Sequence, residues 1–365
     1  MPATRLTVDP SHPDAASIEV AATALRSGRL VAFPTETVYG LGADATDERA
    51  VRRVFEAKGR PANDPLIVHV HPSWALSRVL DGPLPEPLRR LTESLWPGPL
   101  TIIGPRSASI APSVTDGGPL VAVRAPAHPV ALALLDATDR PVAAPSANRF
   151  SYVSPTSADH VAHDLGESCD VILDGGRTTW GIESTVVRLD GGALTILRHG
   201  ATTAEQLVAA VGDLVAVEDP ATDVDEDGGV SPGRAVRHYA PELRTVAATP
   251  AAIAAADLGA AADAARVAHL GYADRPAASH AAAHFVSLGS LADLPGIAWE
   301  LYDTLRRLDA AGTADTLIIE LTGEPGLGRA IDDRLRRAAS GQLASTAAQL
   351  EAVLADASRS KGSGR

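Results

Sequence analysis

Residues 218–229, EDPATDVDEDGG, hold six acids, no cation and no large apolar residue beyond Val224. Such a stretch cannot bury enough apolar surface to offset the entropy of ordering it, so it reads as a flexible surface linker. It forces a division: one body folds before it and another after it. The chain of 365 residues leaves each side long enough to bury a core of its own.

Before the linker, apolar runs at 30–33, 66–70, 100–103, 120–123 and 171–173 predict short buried strands. Helical patterns fall between them at about 14–27, 48–57, 86–96 and 129–137. This is an α/β domain with a mixed sheet. After the linker, strand patterns at 244–247, 266–270, 285–288 and 316–321 alternate with helices. In the clearest of these, Ile297, Leu301, Leu305 and Leu308 share one face. That alternation predicts a smaller, Rossmann-like, mostly parallel sheet. The stretch Gly323-Glu324-Pro325-Gly326-Leu327-Gly328 is not a dinucleotide fingerprint, because its spacing differs from GxGxxG and no acidic strand end follows at the required distance. The expected division is 1–217, a linker segment 218–242, a second domain 243–350 and a disordered tail 351–365.

Composition narrows the class. A hydrophobic content of 45% with 21% charged residues is that of a soluble globular protein, and no apolar run approaches the roughly 18 residues needed to cross a bilayer. Residues 1–10 lack the apolar core of a signal peptide. The single cysteine, Cys169, excludes an internal disulfide and a thiolate-rich metal site, which fits a reducing cytoplasm. A net charge of −13 argues against stable, nonspecific nucleic-acid binding, which rests on many cationic phosphate contacts. A local basic cleft is compatible with it.

Against that background Lys58 stands out. It is one of two lysines, the other being Lys361, in a chain that otherwise uses arginine for its cations. It lies in Lys58-Gly59-Arg60-Pro61, downstream of the Thr/Gly-rich run FPTETVYGLG at 33–42, and a compact ammonium beside a guanidinium suits phosphate. The plain alternative is a solvated helix end. Ser146 and Asn148, in Pro145-Ser146-Ala147-Asn148, emerge after the apolar strand 141–144, where α/β sheets present ligand sites, or else form an ordinary turn. Gly181-Ile182-Glu183-Ser184-Thr185 leads into a strand and offers two hydroxyls beside a carboxylate, although Ser184 could simply satisfy the turn backbone. Arg124 and Arg198 each end an apolar strand, with salt bridges as the structural alternative.

Taken together, FPTETVYGLG, KGRP, PLIVHV at 65–70, WPGPLT at 96–101, VRAP at 123–126, APSAN, GIEST and Leu197-Arg198 resemble the YrdC-like threonylcarbamoyl-AMP synthase family across about residues 18–211. Ser231-Pro232-Gly233, Arg237-His238-Tyr239-Ala240-Pro241, and Gly326-Leu327-Gly328 with the segment to Ala338 resemble the connecting segment and small C-terminal domain of its two-domain members. The resemblance implies a twisted, open, mixed sheet in the N-terminal domain, and a nucleotidyltransferase that joins L-threonine, bicarbonate and ATP into threonylcarbamoyl-adenylate, releasing pyrophosphate, for tRNA modification. By match to the family motifs, Lys58 and Arg60 would hold phosphates as the catalytic pair, and Mg²⁺ would be bound mainly through the phosphates of ATP. Thr35, His69, Arg124 and Ser184 would frame threonine. Ser146, Asn148, Ser154 and Arg198 would face the nucleotide. Tyr239 would close over it as part of a lid, against the alternative of an aromatic packed in the second domain. The family signature assigns no general base; His69 is the weak candidate. Downstream partners would be the tRNA threonylcarbamoyl transferase proteins.

Three departures from the family pattern bear on this. Phe150 and Ser151 stand where Ser and Gly are usual, which predicts an altered loop path. Ala235 replaces a linker lysine, with Arg234 or Arg237 as its substitutes, and His199 replaces a proline, changing turn stiffness. Two other functions share some of the features: an RNA-binding module using the same basic cleft, and a carbamoyl-transfer maturation domain. The latter normally carries zinc fingers, for which one cysteine is too few.

Overall fold

The computed structural model describes residues 2–219, 238–256, 258, 266–275 and 284–359. The acidic run beyond Asp219, the segment 231–237 and the tail beyond Arg359 lie outside the described residues. The chain divides into two compact units, 1–150 with 154–234, and 151–153 with 235–365.

The first unit is built on eleven strands: β1 (Thr4–Thr7), β2 (Val31–Pro34), β3 (Tyr39–Asp44), β4 (Ile67–His69), β5 (Leu100–Pro105), β6 (Leu120–Arg124), β7 (Val142–Ala143), β8 (Val171–Asp174), β9 (Thr185–Asp190), β10 (Ala193–Arg198) and β11 (Ala216–Glu218). They form one sheet in the order β1-β8-β2-β3-β7-β4-β6-β5-β9-β10-β11. Its pairing is mixed: β4 runs parallel to β6, whereas β5 and β6, and β2 and β3, are antiparallel.

Alternation along the strands decides which face meets which helices. Leu30 and Ala32 point into one cluster, Val31 and Phe33 into another, as the two-residue period of a strand requires. The larger cluster joins Ala32, Leu41, Val68, Ile102, Val123 and Val187 to Val54 and Phe55 of α2 (Glu48–Lys58) and Leu91 of α3 (Glu86–Leu95). The other packs α1 (Ala15–Arg26) and α4 (Pro129–Thr138) on the opposite face through Leu25, Leu134 and Leu135. Each of these leucines is fully buried, so truncation to alanine would cost about 2–5 kcal/mol. Two further helices, α5 (Ala158–Leu165) and α6 (Ala204–Val211), complete the unit.

The second unit holds β12 (Arg244–Ala248), β13 (Val267–Gly271), β14 (His284–Ser287), β15 (Thr316–Glu320) and β16 (Leu343–Ala344), with α7 (Pro250–Ala255), α8 (Leu294–Ala311), α9 (Leu327–Ala338) and α10 (Ala347–Arg359). The strand order is β14-β13-β15-β12-β16, and every pair is parallel. The expected tail at 351–365 is corrected over 351–359: these residues lie in α10, whose Leu350 and Leu354 are fully buried in the core beside Val246 and Ile318. At the other end of the linker, Glu218 is not free chain but the last residue of β11, opposite Thr195. β3 was also hidden from sequence, because its glycines read as a turn. At Gly42 a Cβ would lie 2.8 Å from Val142 and 2.9 Å from Phe33, so that strand needs glycine to pack.

Candidate active site

Residues directly opposite one another on paired strands share a face. The register aligns His69 with Arg124, Arg124 with Thr101, Thr101 with Val186, and Val186 with Arg198 across a bulge. A single row across β4, β6, β5, β9 and β10 thus carries an imidazole, two guanidiniums and a hydroxyl on one face. Beside it on the same face, one pleat along, Ile67, Ile103 and Ala122 pack with Val186 of the row itself into a small apolar cluster.

The row is locked by its neighbours. Arg124 donates to Thr37 Oγ1 at 2.8 Å and to the Gly98 carbonyl at 3.3 Å, and its guanidinium lies 2.5 Å from Glu36 Oε1. Glu36 also accepts from the Ala127 amide at 3.0 Å. Thr35 Oγ1 bonds Thr37 Oγ1 at 2.8 Å and donates to the Val38 carbonyl at 2.7 Å, so the Thr35-Glu36-Thr37 loop is drawn up against Arg124. On the other side Ser184 Oγ lies 2.8 Å from Thr101 Oγ1, and Arg198 donates to the Ser184 carbonyl at 3.0 Å and hydroxyl at 3.2 Å. That approach depends on Gly200, where a Cβ would fall 2.3–2.4 Å from the Glu183–Thr185 backbone. Ser154 Oγ donates to Glu183 Oε1 at 2.6 Å.

His69 is 3% exposed, and burial together with the Arg124 charge lowers its pKa to about 3. An imidazole held neutral this firmly is a poor acceptor for an ammonium proton, which removes the physical basis for a general base at His69. Its Nδ1 is a buried polar atom without a hydrogen-bond partner among the described residues.

Lys58 closes α2, followed by Gly59 in the left-handed conformation (φ 63) that ends the helix. Its ammonium donates to the carbonyls of Ser146 at 2.6 Å and Asn148 at 2.5 Å. Two motifs separated by almost ninety residues are thereby joined by one buried cation. Arg60 donates to the carbonyls of Asp64 at 3.0 Å and Pro65 at 2.9 Å, pairs with Asp64 Oδ1 at 2.7 Å, and lies 6.0 Å from the Phe150 ring. Burial raises the Asp64 pKa, against the opposing fields of Arg60, Lys58 and Arg198.

Of the residues expected from sequence, Thr35, His69, Arg124, Ser184 and Arg198 meet around the row, and Lys58, Ser146 and Asn148 meet at the end of α2. Tyr239 differs. It is 1% exposed, stacked on Tyr302 with centroids 5.6 Å apart, and has the Arg334 guanidinium 5.0 Å from its ring, all within the second unit. With its ring packed in this way it would have to leave the core to cover a ligand, which favours the packed aromatic over the lid. Ser151 takes φ 63, a left-handed conformation that glycine adopts freely and that strains serine by about 1–2 kcal/mol. His199 pairs with Asp219 at 2.9 Å, a role beyond turn stiffness. Sequence reading missed Glu36, Thr37, Asp64 and Thr101. Each sat inside a quoted motif or beside one, and only Thr101, between Leu100 and Ile102, carried a local signal of its own, a polar side chain amid apolar neighbours.

A mixed sheet that presents guanidinium, imidazole and hydroxyl groups on one face, near a buried lysine and arginine, defines an α/β enzyme for a small polar substrate and an anionic one. Comparison with known proteins is more specific. Residues 23–200 match the family described as Telomere recombination, and residues 202–340 the threonylcarbamoyl-AMP synthase C-terminal domain. Threonylcarbamoyl-AMP synthase of Pyrococcus abyssi is 39% identical over 327 residues, 88% of this chain and 93% of its own length. That of Bacillus subtilis is 41% identical over 329 residues, 89% and 94% of the two chains. The crystal structure of P. abyssi Sua5 complexed with L-threonine has a TM-score of 0.83 at 38% identity, covering 94% of this chain and 99% of that one. The chain belongs to the two-domain Sua5 family of threonylcarbamoyl-AMP synthases.

Proposed function

We propose that this protein is a threonylcarbamoyl-AMP synthase, making threonylcarbamoyl-adenylate and pyrophosphate from L-threonine, bicarbonate and ATP. The observation that carries this reading is the row of His69, Arg124, Thr101 and Arg198 beside the Lys58–Ser146–Asn148 junction, in a chain whose relatives bear that name. The deprotonated threonine amine adds to the carbon of bicarbonate-derived carbon dioxide, forming the N–C bond of a carbamate. A carbamate oxygen then attacks the α-phosphorus of ATP in line as the bond to the pyrophosphate oxygen breaks.

In this scheme Arg124 receives the threonine carboxylate, with Thr35, Ser184 and neutral His69 supplying hydrogen bonds to the rest of a small hydroxyl amino acid. Lys58 acts on the phosphates as a point charge and Arg60 as a fork. Ser146, Asn148, Ser154 and Arg198 face the nucleotide. Mg²⁺ would arrive on the phosphates of ATP and neutralise the leaving pyrophosphate. No helix among the described residues is long and apolar enough to cross a membrane. The adenylate would pass in the cytoplasm to tRNA threonylcarbamoyl transferase proteins.

The test is pyrophosphate release with ATP, threonine and bicarbonate, each omitted in turn; all three should be required. Valine in place of threonine should be rejected by more than about a hundredfold, because buried partners of the hydroxyl would be left unpaired. Release that is independent of threonine, or equal with valine, would contradict the assignment.

A further inference from the structure

Asp64 is a carboxylate where an anion is expected to bind. The turn from Arg60 to Pro65 is closed by the Asp64 amide donating to the Pro61 carbonyl at 3.2 Å. It wraps back on the Arg60 guanidinium, which meets three oxygens of this one turn: the Asp64 carbonyl, the Pro65 carbonyl and Asp64 Oδ1. The pair is enclosed, with side-chain exposures of 3% for Arg60 and 14% for Asp64. A buried cation left without a counter-charge is costly, so the turn supplies one in the absence of ligand.

We propose that Asp64 is a displaceable counter-ion, a positioning residue that holds Arg60 in place and competes with phosphate for it, thereby weakening pyrophosphate binding and speeding its release. This rests on the functional reading given above. A carboxylate fixed beside the phosphate fork repels every anion that enters, whether substrate or product. The triphosphate has other contacts to offset that repulsion, whereas the departing pyrophosphate has fewer. The same charge that keeps Arg60 ordered therefore limits how long the product stays.

Direct titration with inorganic pyrophosphate, with and without Mg²⁺, tests this in the full chain. Asp64→Asn keeps the shape and removes the charge, and should tighten pyrophosphate about fivefold to tenfold, the scale of one unit charge a few ångströms away in a partly screened site. Threonine binding should not change, and the effect should vanish in an Arg60→Ala background. Asp64→Glu retains the charge and should keep pyrophosphate binding as weak as in the parent, which gives a second reading if the asparagine variant folds poorly. Weaker or unchanged pyrophosphate binding in Asp64→Asn overturns the proposal. A loss confined to the Mg²⁺-loaded probe also overturns it, by making Asp64 a metal ligand. If the parent protein binds neither pyrophosphate nor threonine, the functional reading itself falls. If it binds both and Asp64→Asn has no effect, only this inference falls.

Discussion

The two units share out buried charge differently: in the second it is met chiefly by side chains, in the first by side chains and backbone carbonyls together. In the second unit, Glu320 at the end of β15 is 1% exposed and is met by side chains of its own fold: Arg275 Nε at 2.9 Å and His269 Nε2 at 3.6 Å, with Tyr272 donating to its carbonyl at 2.9 Å. Gly271 makes room for the group, since a Cβ there would lie 3.0 Å from Glu320 and 3.1 Å from His269. On α9, Asp333 pairs with both Arg334 and Arg337. In the first unit, buried cations combine backbone oxygens with carboxylates: Lys58 donates to the Ser146 and Asn148 carbonyls and Arg198 to Ser184, while Arg124 also meets Glu36, and Arg60 meets Asp64 as well as the Pro65 carbonyl. Carbonyls hold a cation in place without cancelling its charge, so an anion can still be bound there. A carboxylate beside the cation offsets its charge and competes with an entering anion.

The sharpest way to break this contrast is Glu320→Ala. Removing one partner of a buried charge pair leaves Arg275 uncompensated and should cost about 3–5 kcal/mol, read as a lower midpoint in denaturant unfolding. Threonine binding by the molecules still folded should be unchanged. Lost binding at undiminished stability would show that the second unit's charges serve the substrate after all.

In the first unit the balance should reverse. Lys58→Ala should lower pyrophosphate release at least about tenfold, matching the roughly 1.5–3 kcal/mol of one hydrogen bond to a charged group. Lys58→Arg should restore only part, because the longer planar fork cannot address both carbonyls and a phosphate from the same place. Full activity in Lys58→Ala would remove that residue from the mechanism.

His69 sharpens the comparison through pH. Its folded pKa, about 3, lies below the unfolded value near 6.5. Between those values the unfolded chain binds the proton and the folded protein does not, so stability rises with pH across that window and is flat above it. The slope owed to this one group is up to about 1.4 kcal/mol per pH unit. His69→Asn should flatten acid unfolding between pH about 4 and 6, and pyrophosphate release in the parent should show no His69 inflection near neutrality. An unchanged acid slope would place the titration elsewhere.

How much of this was legible in the sequence follows from what periodicity encodes. Continuous apolar runs revealed β2, β4, β5 and β6; Arg124 was marked because it ends one of them, whereas His69 became a candidate only through its match to the family motif. β3 was invisible, because Gly40 and Gly42 answer to neighbours contributed by other strands. α10 was mistaken for tail because short, Ala-rich helices gain their stability from packing, which local pattern does not display. The row itself needs register, and register is set by pairing between strands distant in the chain. Thr101 joins Arg124 to Ser184 only once β5 lies between β6 and β9.

The smallest expected effect concerns the apolar cluster beside that row. Ile67, Ile103, Ala122 and Val186 are small or branched side chains, all buried, packed together on the face that carries Thr101. If the threonine hydroxyl is held by hydrogen bonds and its methyl only touches that face, serine loses the methyl and nothing else. A single buried methyl is worth about 1 kcal/mol, so serine should be used about fivefold less efficiently in kcat/KM. That loss should appear mainly in KM, because the methyl contributes equally to ground and transition states. Ala122→Gly, which removes part of the cluster, should narrow the gap between serine and threonine by lowering the efficiency of threonine alone. A serine penalty of a hundredfold or more would mean that the methyl is tightly enclosed, and that shape, more than the hydroxyl partners of the row, selects the amino acid.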